Sequence, residues 1–330
     1  MAKYRLYGAA TSPYSEKVRA ALVYKDVAFD WVPRSVKTEA DFQALASVPT
    51  VPLLISPDAV ASQDSTAMLA SLEVSHPEPA TVPDDPACAA LSLILEDFGD
   101  EWLNKAMFNE RWGQSPDQEA AAQRLLENLF AGHLPASRSE ETAKIVDRMA
   151  GRLPLVGAGG SNGEVLRASF QAFSLGLDAH LKDTLYIFGG RPSAADFSLA
   201  AQYRQMLSDP TPGAWLRERA PFVTEWCGLM EAPKANDGFK PLEALQATLL
   251  PLFRDHVAPT YLTWAAANSE NASKRRKKLK IEIGGQPFEQ DTQKYAAKAF
   301  KSVKKAIGKM KPPDELNAFL KETGMDAALN

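Results

Sequence analysis

The stretch at residues 4–19, which reads YRLYGAATSPYSEKVR, constrains the fold of this chain more than any other. Residues 4–7 alternate in a β-prone run, and small residues then lead to Pro13, which suits the first position of a helix. Ser12 is therefore predicted to cap that helix. A helix start beside a hydroxyl stabilises an anion, such as a bound thiolate. A serine that only caps its helix shows the same pattern.

Composition indicates an ordinary soluble globular chain with room for two domains. The 330 residues carry a formal charge of −4, with two cysteines and four histidines. No run approaches the ~20 apolar residues of a membrane span, and there is no apolar signal region, so we expect a cytoplasmic protein without membrane partners. Cys88 and Cys227 are expected to be reduced thiols, and the scattered histidines suggest no metal site.

Strand and helix patterns alternate over the first eighty residues in the order β-α-β-α-β-β-α. A cis bond at Val51-Pro52 would turn the backbone groups of Val51 towards open space, whereas a trans bond would leave a plain turn. Asp64 and Ser65 stand at the start of the third helix. A hydroxyl and free N–H groups at this place suit a carboxylate, and an aspartate suits an ammonium. A role as N-cap alone also explains the presence of Asp64 and Ser65.

With these features in this order, the chain resembles the glutathione S-transferase superfamily of the serine type, in an uncharacterised bacterial branch with a carboxy-terminal extension. The motif Ser12-Pro13-Tyr14-Ser15 is similar to the Cys-Pro-Tyr-Cys of glutaredoxins with hydroxyls in place of both sulfurs. The resemblance implies an α/β thioredoxin-like domain followed by an all-α domain. It also implies that glutathione is the co-substrate.

The resemblance also implies site residues. Ser12 would activate the thiol of glutathione, and Tyr7, Thr11 and Ser15 are fallback hydroxyls. Val51, next to Pro52, would bind the cysteinyl backbone, while Asp64 and Ser65 would bind the γ-glutamyl end. The family's long polar side chain is missing at Thr50, so one contact is weakened or is replaced by Lys37 or Gln63.

The helical half begins after the proline-rich stretch at residues 76–86, which cannot continue a helix. In the family, the helix that matches residues 87–112 lines the pocket for the electrophilic substrate. Candidates for that pocket are Trp102, Met107, Phe108 and Trp112, although an aromatic stripe at helical spacing favours the core for at least half of them. Ser193 and Asp196 form a predicted capping box, which the family uses as a folding element.

The chain then exceeds the usual length of the family by some eighty residues. A hairpin turning at Gly284-Gly285 and an amphipathic helix over residues 292–309 are predicted there. Residues 274–311 contain thirteen basic and three acidic residues, which leaves a charge of −14 on the rest. Acidic overall charge favours a solvated turn, or a patch that docks on the acidic body, over a nucleic-acid site. The predicted domains are residues 1–82, 83–250 and 251–330.

The leading hypothesis is a cytoplasmic homodimeric glutathione transferase that attacks a small electrophile, as in detoxification. Two alternatives stay open. One is a non-catalytic glutathione-binding or scaffold protein of the same fold, and the other is a glutathione-dependent isomerase or peroxidase.

Overall fold

A computed structural model describes residues 3–311 and 313–329 of the chain. Residues 3–75 form a four-stranded mixed sheet with three helices. The strands are β1 (Tyr4–Gly8), β2 (Phe29–Pro33), β3 (Leu53–Ile55) and β4 (Ala61–Gln63), and the helices are α1 (Pro13–Tyr24), α2 (Glu39–Leu45) and α3 (Ser65–Ser75). The strand order is β2-β1-β3-β4, and only β1 and β2 run parallel. The predicted order of elements and the thioredoxin-like fold are confirmed.

The strand register places three loops at one edge of this sheet, where its strands begin or end. Tyr7 of β1 pairs with Leu53 of β3, and Leu53 pairs with Gln63 of β4. The chain therefore leaves β1 towards residue 12, enters β3 from residue 52 and leaves β4 towards residue 64 at the same edge. Leu6 and Leu54, also paired, are buried and hold the sheet against the helices.

The second half is helical, as predicted. Its elements are α4 (Pro86–Asp97), a π-helical segment (Phe98–Leu103), α5 (Asn104–Gly113), α6 (Ser115–Leu129), α7 (Arg138–Ala150), α8 (Leu153–Val156), α9 (Gly160–Leu181), α10 (Ala194–Leu207), α11 (Pro210–Arg219), α12 (Pro221–Leu229) and α13 (Leu242–Leu252). The predicted capping box is present at the start of α10, where the Ser193 N–H and hydroxyl both donate to Asp196 at 2.8 Å.

The carboxy-terminal extension packs on the helical half. It comprises a π-helical segment (Phe253–Leu262), α14 (Thr263–Ser273), β5 (Lys278–Ile283), β6 (Gln286–Asp291), α15 (Lys294–Lys309), α16 (Asp314–Glu322) and α17 (Asp326–Leu329). The predicted boundary after residue 250 lies inside a helix that continues from α13 into α14. None of the described helices combines the length and the apolar character that crossing a bilayer requires.

Both sequence patterns of the extension take the expected form. β5 and β6 pair as a hairpin whose turn is Gly284-Gly285, with φ angles of +58° and +74° that favour glycine. The apolar face of α15 is buried, and the Phe300 ring meets Tyr261 edge-on in the core shared with the helical half. Within the basic run, Lys274 pairs with Glu270 and Lys278 pairs with Asp291.

A buried charge network joins the sheet half to the helical half. Lys17 of α1 donates to Glu96 of α4, and to Asp100 of the first π-helical segment at 2.6 Å. Thr66 of α3 donates to Glu96 at 2.6 Å, and Ser198 of α10 donates to Asp100 at 2.7 Å. Because five elements of the fold meet at these groups, the network fixes how the two halves dock.

Replacing Lys17 tests this role of the network. Lys17→Met leaves two carboxylates buried without their cation, so we expect the free energy of unfolding to fall by about 3–5 kcal/mol in urea denaturation. Lys3→Met is the matched control, because the Lys3–Asp30 ion pair is exposed (54% and 58%). The control is expected to change stability by less than about 1 kcal/mol. Equal effects of the two substitutions would contradict a docking role for Lys17.

Candidate functional site

Ser12 caps α1 at the edge of the sheet where the three loops meet. Its hydroxyl oxygen accepts from the Ser15 N–H at 3.3 Å, and its own N–H donates to Ala9 at 2.9 Å. The Ser12 hydroxyl hydrogen and the Tyr14 N–H have no partner among residues 3–311 and 313–329. One hydroxyl donor and one helix-start amide therefore remain for an anion at this position.

The turn before Ser12 is held from both sides. Within the sheet half, a Cβ at Gly8 would lie 2.5 Å from the Trp31 ring, so only glycine fits there. From the helical half, the Gln205 amide donates to the Ala10 carbonyl at 2.9 Å and Arg111 donates to the Thr11 carbonyl at 3.3 Å. The position of Ser12 thus depends on both halves of the fold.

The fallback hydroxyls lie in less suitable surroundings. Ser15 is fully buried, and its hydroxyl accepts from the Ala9 N–H at 3.3 Å. Tyr7 is buried against Phe42, with its hydroxyl 3.5 Å from an Arg5 donor. Thr11 is half-buried beside Ser12.

The loop before β3 presents free backbone groups. The Val51-Pro52 bond is cis. The N–H and C=O of Val51 form no hydrogen bond with any described residue of the chain. Gln63 holds the preceding loop: its amide oxygen accepts from Ser47 and Val48, and its nitrogen donates to the Thr50 carbonyl at 2.8 Å. The Gln63 amide is therefore engaged by the protein itself, and Lys37 lies elsewhere, 3.5 Å from His133.

Asp64 and Ser65 open α3 at the same sheet edge. Asp64 has a φ of +85°, and its Oδ1 accepts from the backbone N–H groups of Thr66 at 3.1 Å and Ala67 at 3.4 Å. Its Oδ2 accepts from the Tyr295 hydroxyl at 2.9 Å. The Ser65 hydroxyl has no partner in the part of the chain that the structure describes. Ser12, Val51 and Ser65 therefore each contribute groups that have no hydrogen-bond partner among the described residues.

A cavity of about 280 Å³ lies between the helical half and the extension. It is lined by Tyr14 of α1, by Asp100, Glu101, Asn104, Lys105 and Val156 of the helical half, and by residues 293–296 of the extension. Tyr14 belongs to the first turn after Ser12, and Tyr295 contacts Asp64. The cavity therefore adjoins both the loop that ends at Ser12 and the start of α3.

Lys105 is the most unusual group in this cavity. Its side chain is 3% exposed, and its ammonium donates to the Val156 carbonyl at 2.8 Å and to Gln293 at 2.6 Å. It lies 4.5 Å from the centroid of the Trp264 ring. Burial lowers the pKa of Lys105, and the nearby Glu101 partly opposes this shift. Burial and the charge of Asp100 raise the pKa of Glu101. The cavity thus contains an acid and a base without a direct ion pair between them in the described chain.

The four predicted pocket residues lie mostly in hydrophobic cores. Trp102 is 1% exposed, donates to Ser169 at 2.9 Å and packs against Trp264. Met107 is buried in the same core, while Trp112 is buried beside Phe108 in a smaller cluster. This burial agrees with the alternative that at least half of the four are core residues. None of the four lines the cavity described above.

Sequence reasoning missed the polar lining of the cavity. Glu101 and Lys105 stand four residues apart in an apolar helical pattern, and that pair of charges was the available signal. Tyr295 gave no signal, because its contact with Asp64 spans 231 residues. Among residues 3–311 and 313–329, no cluster of three or more His, Cys, Asp or Glu residues is arranged to hold a metal ion.

Comparisons with known proteins agree on one family. The family model described as "Glutathione S-transferase, N-terminal domain" matches residues 6–80, and the one described as "Glutathione S-transferase, C-terminal domain" matches residues 136–228. A glutathione S-transferase of Triticum aestivum is 35% identical over 94 residues, which are 28% of this chain and 44% of that protein. Glutathione S-transferase Z2 of Arabidopsis thaliana is 32% identical over 88 residues, 26% of this chain and 39% of that protein.

The matched segment spans about two fifths of the length of these two curated relatives. Among solved structures, the beta-etherase LigF of Sphingobium sp. strain SYK-6 is similar, with a TM-score of 0.51 and 20% sequence identity. That similarity covers 76% of this chain and 99% of the other. At this level of identity it supports the fold alone.

Removing the Gln205 amide tests whether the helical half holds the loop that ends at Ser12. Gln205→Ala leaves the Ala10 carbonyl and Arg111 each without one partner, so we expect a loss of about 1–3 kcal/mol in stability. We also expect faster hydrogen exchange at the Ser12 amide, measured by mass spectrometry. Gln43→Ala is the control, since Gln43 is exposed and its amide bonds, among the described residues, only to Glu39. Ser12 exchange equally slow in both variants would contradict the proposed support.

Proposed function

The chain belongs to the glutathione S-transferase superfamily, and we propose that it binds glutathione and activates its thiol for attack on a small electrophile. The observation that carries this proposal is the strand register. Tyr7, Leu53 and Gln63 lie side by side, so the segments that carry Ser12, Val51 and Ser65 follow or precede their strands at one edge of the sheet. These are the groups that a thiolate, a peptide backbone and a carboxylate need.

The two ends of this set suit the two charges of the γ-glutamyl group. Ser65 offers its hydroxyl and its own backbone N–H at the start of α3, neither of which has a partner among the described residues, so the carboxylate binds there. The Asp64 carboxylate accepts the ammonium. The free N–H and C=O of Val51 pair with the cysteinyl backbone, as an additional strand would.

Ser12 activates the thiol by stabilising its ionised form. The Ser12 hydroxyl donates to the sulfur, and the unpaired Tyr14 N–H at the start of α1 adds a partial positive charge. Both effects lower the pKa of the thiol, so more of it is the nucleophilic thiolate at neutral pH.

The cavity beside Tyr14 holds the second substrate. The glutathione sulfur at Ser12 and an electrophilic carbon in the cavity are then held together, which converts a bimolecular encounter into a positioned one. The thiolate forms a carbon–sulfur bond, and the electron pair of the broken bond leaves with the displaced group. Polar lining by Asn104 and Lys105 favours electrophiles that carry oxygen atoms over purely apolar ones.

Assembly and location remain predictions that accompany this proposal. We expect a homodimer, which light scattering of the purified protein would detect as twice the chain mass. We expect it in the cytoplasm, where fractionation of cells would recover it.

Replacing Ser12 tests the activation step. Ser12→Ala removes the donor to the sulfur, so we expect kcat/KM for conjugation of 1-chloro-2,4-dinitrobenzene to fall about 100-fold, as for loss of one donor that stabilises an anion. The ultraviolet absorbance of the bound thiolate, titrated against pH, should show a raised thiol pKa. Binding of glutathione, measured by calorimetry, should change only slightly.

Thr11→Ala separates the two hydroxyls of this turn. If conjugation is lost in Thr11→Ala and retained in Ser12→Ala, the assignment of Ser12 is contradicted. If wild-type protein binds glutathione and accelerates no conjugation, the alternative of a binding protein without turnover is supported instead.

A further inference from the structure

The first turn of α15 reaches the proposed glutathione site from the extension. The Tyr295 hydroxyl donates to Asp64 Oδ2 at 2.9 Å, although Tyr295 itself is 60% exposed. Residue 295 lies outside both segments that match the family, 6–80 and 136–228. The contact is therefore a feature of this chain's own extension.

Gln293 fixes this turn to the helical half. Its backbone N–H and C=O exchange two hydrogen bonds of 2.9 Å with the fully buried side chain of Asn268. Its side chain accepts from Lys105 at 2.6 Å and donates to the Leu155 carbonyl at 3.3 Å. With Gln293 held at four points and Ala296 buried, the backbone of Tyr295 between them has little freedom to move.

The Tyr295 hydroxyl completes the restraint on the Asp64 carboxylate. Oδ1 is already held by the N–H groups of Thr66 and Ala67, and Oδ2 is held by Tyr295. A carboxylate oxygen accepts more than one hydrogen bond, so Oδ2 keeps an acceptor site. A side chain whose two oxygens are both held has less rotamer freedom to lose when a ligand binds.

We propose that Tyr295 is a positioning residue that orients the Asp64 carboxylate towards the ammonium of the glutathione γ-glutamyl group. This inference rests on the proposed function, because it needs glutathione in the site. The extension thereby contributes to ligand affinity as well as to the core.

Calorimetric titration of wild type and Tyr295→Phe with two ligands tests the inference. The ligands are glutathione and glutaryl-cysteinylglycine, which lacks only the ammonium. Tyr295→Phe keeps the ring and removes the hydroxyl, so we expect glutathione to bind about five- to tenfold more weakly, in line with the loss of one hydrogen bond to a charged group. Binding of the analogue should be unchanged, because its contacts do not include Asp64.

Controls separate positioning from a structural role. Lys298 lies about one turn further along α15, and its side chain is exposed. The Lys298→Ala variant should therefore bind both ligands as wild type does. If Tyr295→Phe weakens both ligands equally, the hydroxyl acts on the fold and the inference is wrong. It is also wrong if glutathione binds equally well or more tightly, since tighter binding would mean that Tyr295 occupies the ammonium position.

The wild-type titration distinguishes a failure of the proposed function from a failure of the inference about Tyr295. A folded wild-type protein that fails to bind glutathione overturns the proposed function together with this inference. A wild type that binds, with an unaltered Tyr295→Phe variant, overturns the inference alone.

Discussion

The buried contact of Lys17 with Glu96 and Asp100 is the interaction on which the rest of the structure depends. Burial lowers the pKa of Lys17, but the two carboxylates raise it more, so the ammonium stays charged in the interior. Since Lys17 belongs to α1, this contact sets where the start of α1 and Ser12 lie relative to the helical half. Tyr14 adds to the same docking by donating to the Asp100 carbonyl at 2.8 Å. The loop that ends at Ser12 is therefore fixed by these contacts between the two halves as well as by its own turn.

The extension is the second determinant of the site. It shares the core of the helical half through Phe300 and places residues 293–296 in the wall of the cavity. The sheet half, the helical half and the extension thus all contribute to the lining of the cavity of about 280 Å³. Lys105 and Gln293, in contact across this wall, tie the extension to α5. The basic charge of residues 274–311 is partly paired within the extension, as at Lys280 with Glu289.

Local patterns predicted the elements, and long-range packing decided the cavity. Pro13 specifies the start of α1, because the N–H that proline lacks would be unpaired there. Gly8 leaves room for the Trp31 ring, and the glycines at residues 284 and 285 specify the hairpin because they adopt positive φ angles that few other residues adopt. Periodicity shows that Trp102 faces apolar surroundings, but it cannot show whether core or ligand covers that face. The Tyr295–Asp64 contact joins exposed side chains 231 residues apart, so no local pattern could indicate it.

The measurement that tests the central claim most directly is calorimetric titration of glutathione into wild type and Ser65→Ala at neutral pH. The Ser65 hydroxyl has no partner among residues 3–311 and 313–329, so we expect this substitution to remove a ligand contact at little cost to stability. We predict saturable binding at one site per chain that weakens markedly in Ser65→Ala. Heat indistinguishable from dilution, in protein whose unfolding transition is intact, would contradict a glutathione site at this edge of the sheet.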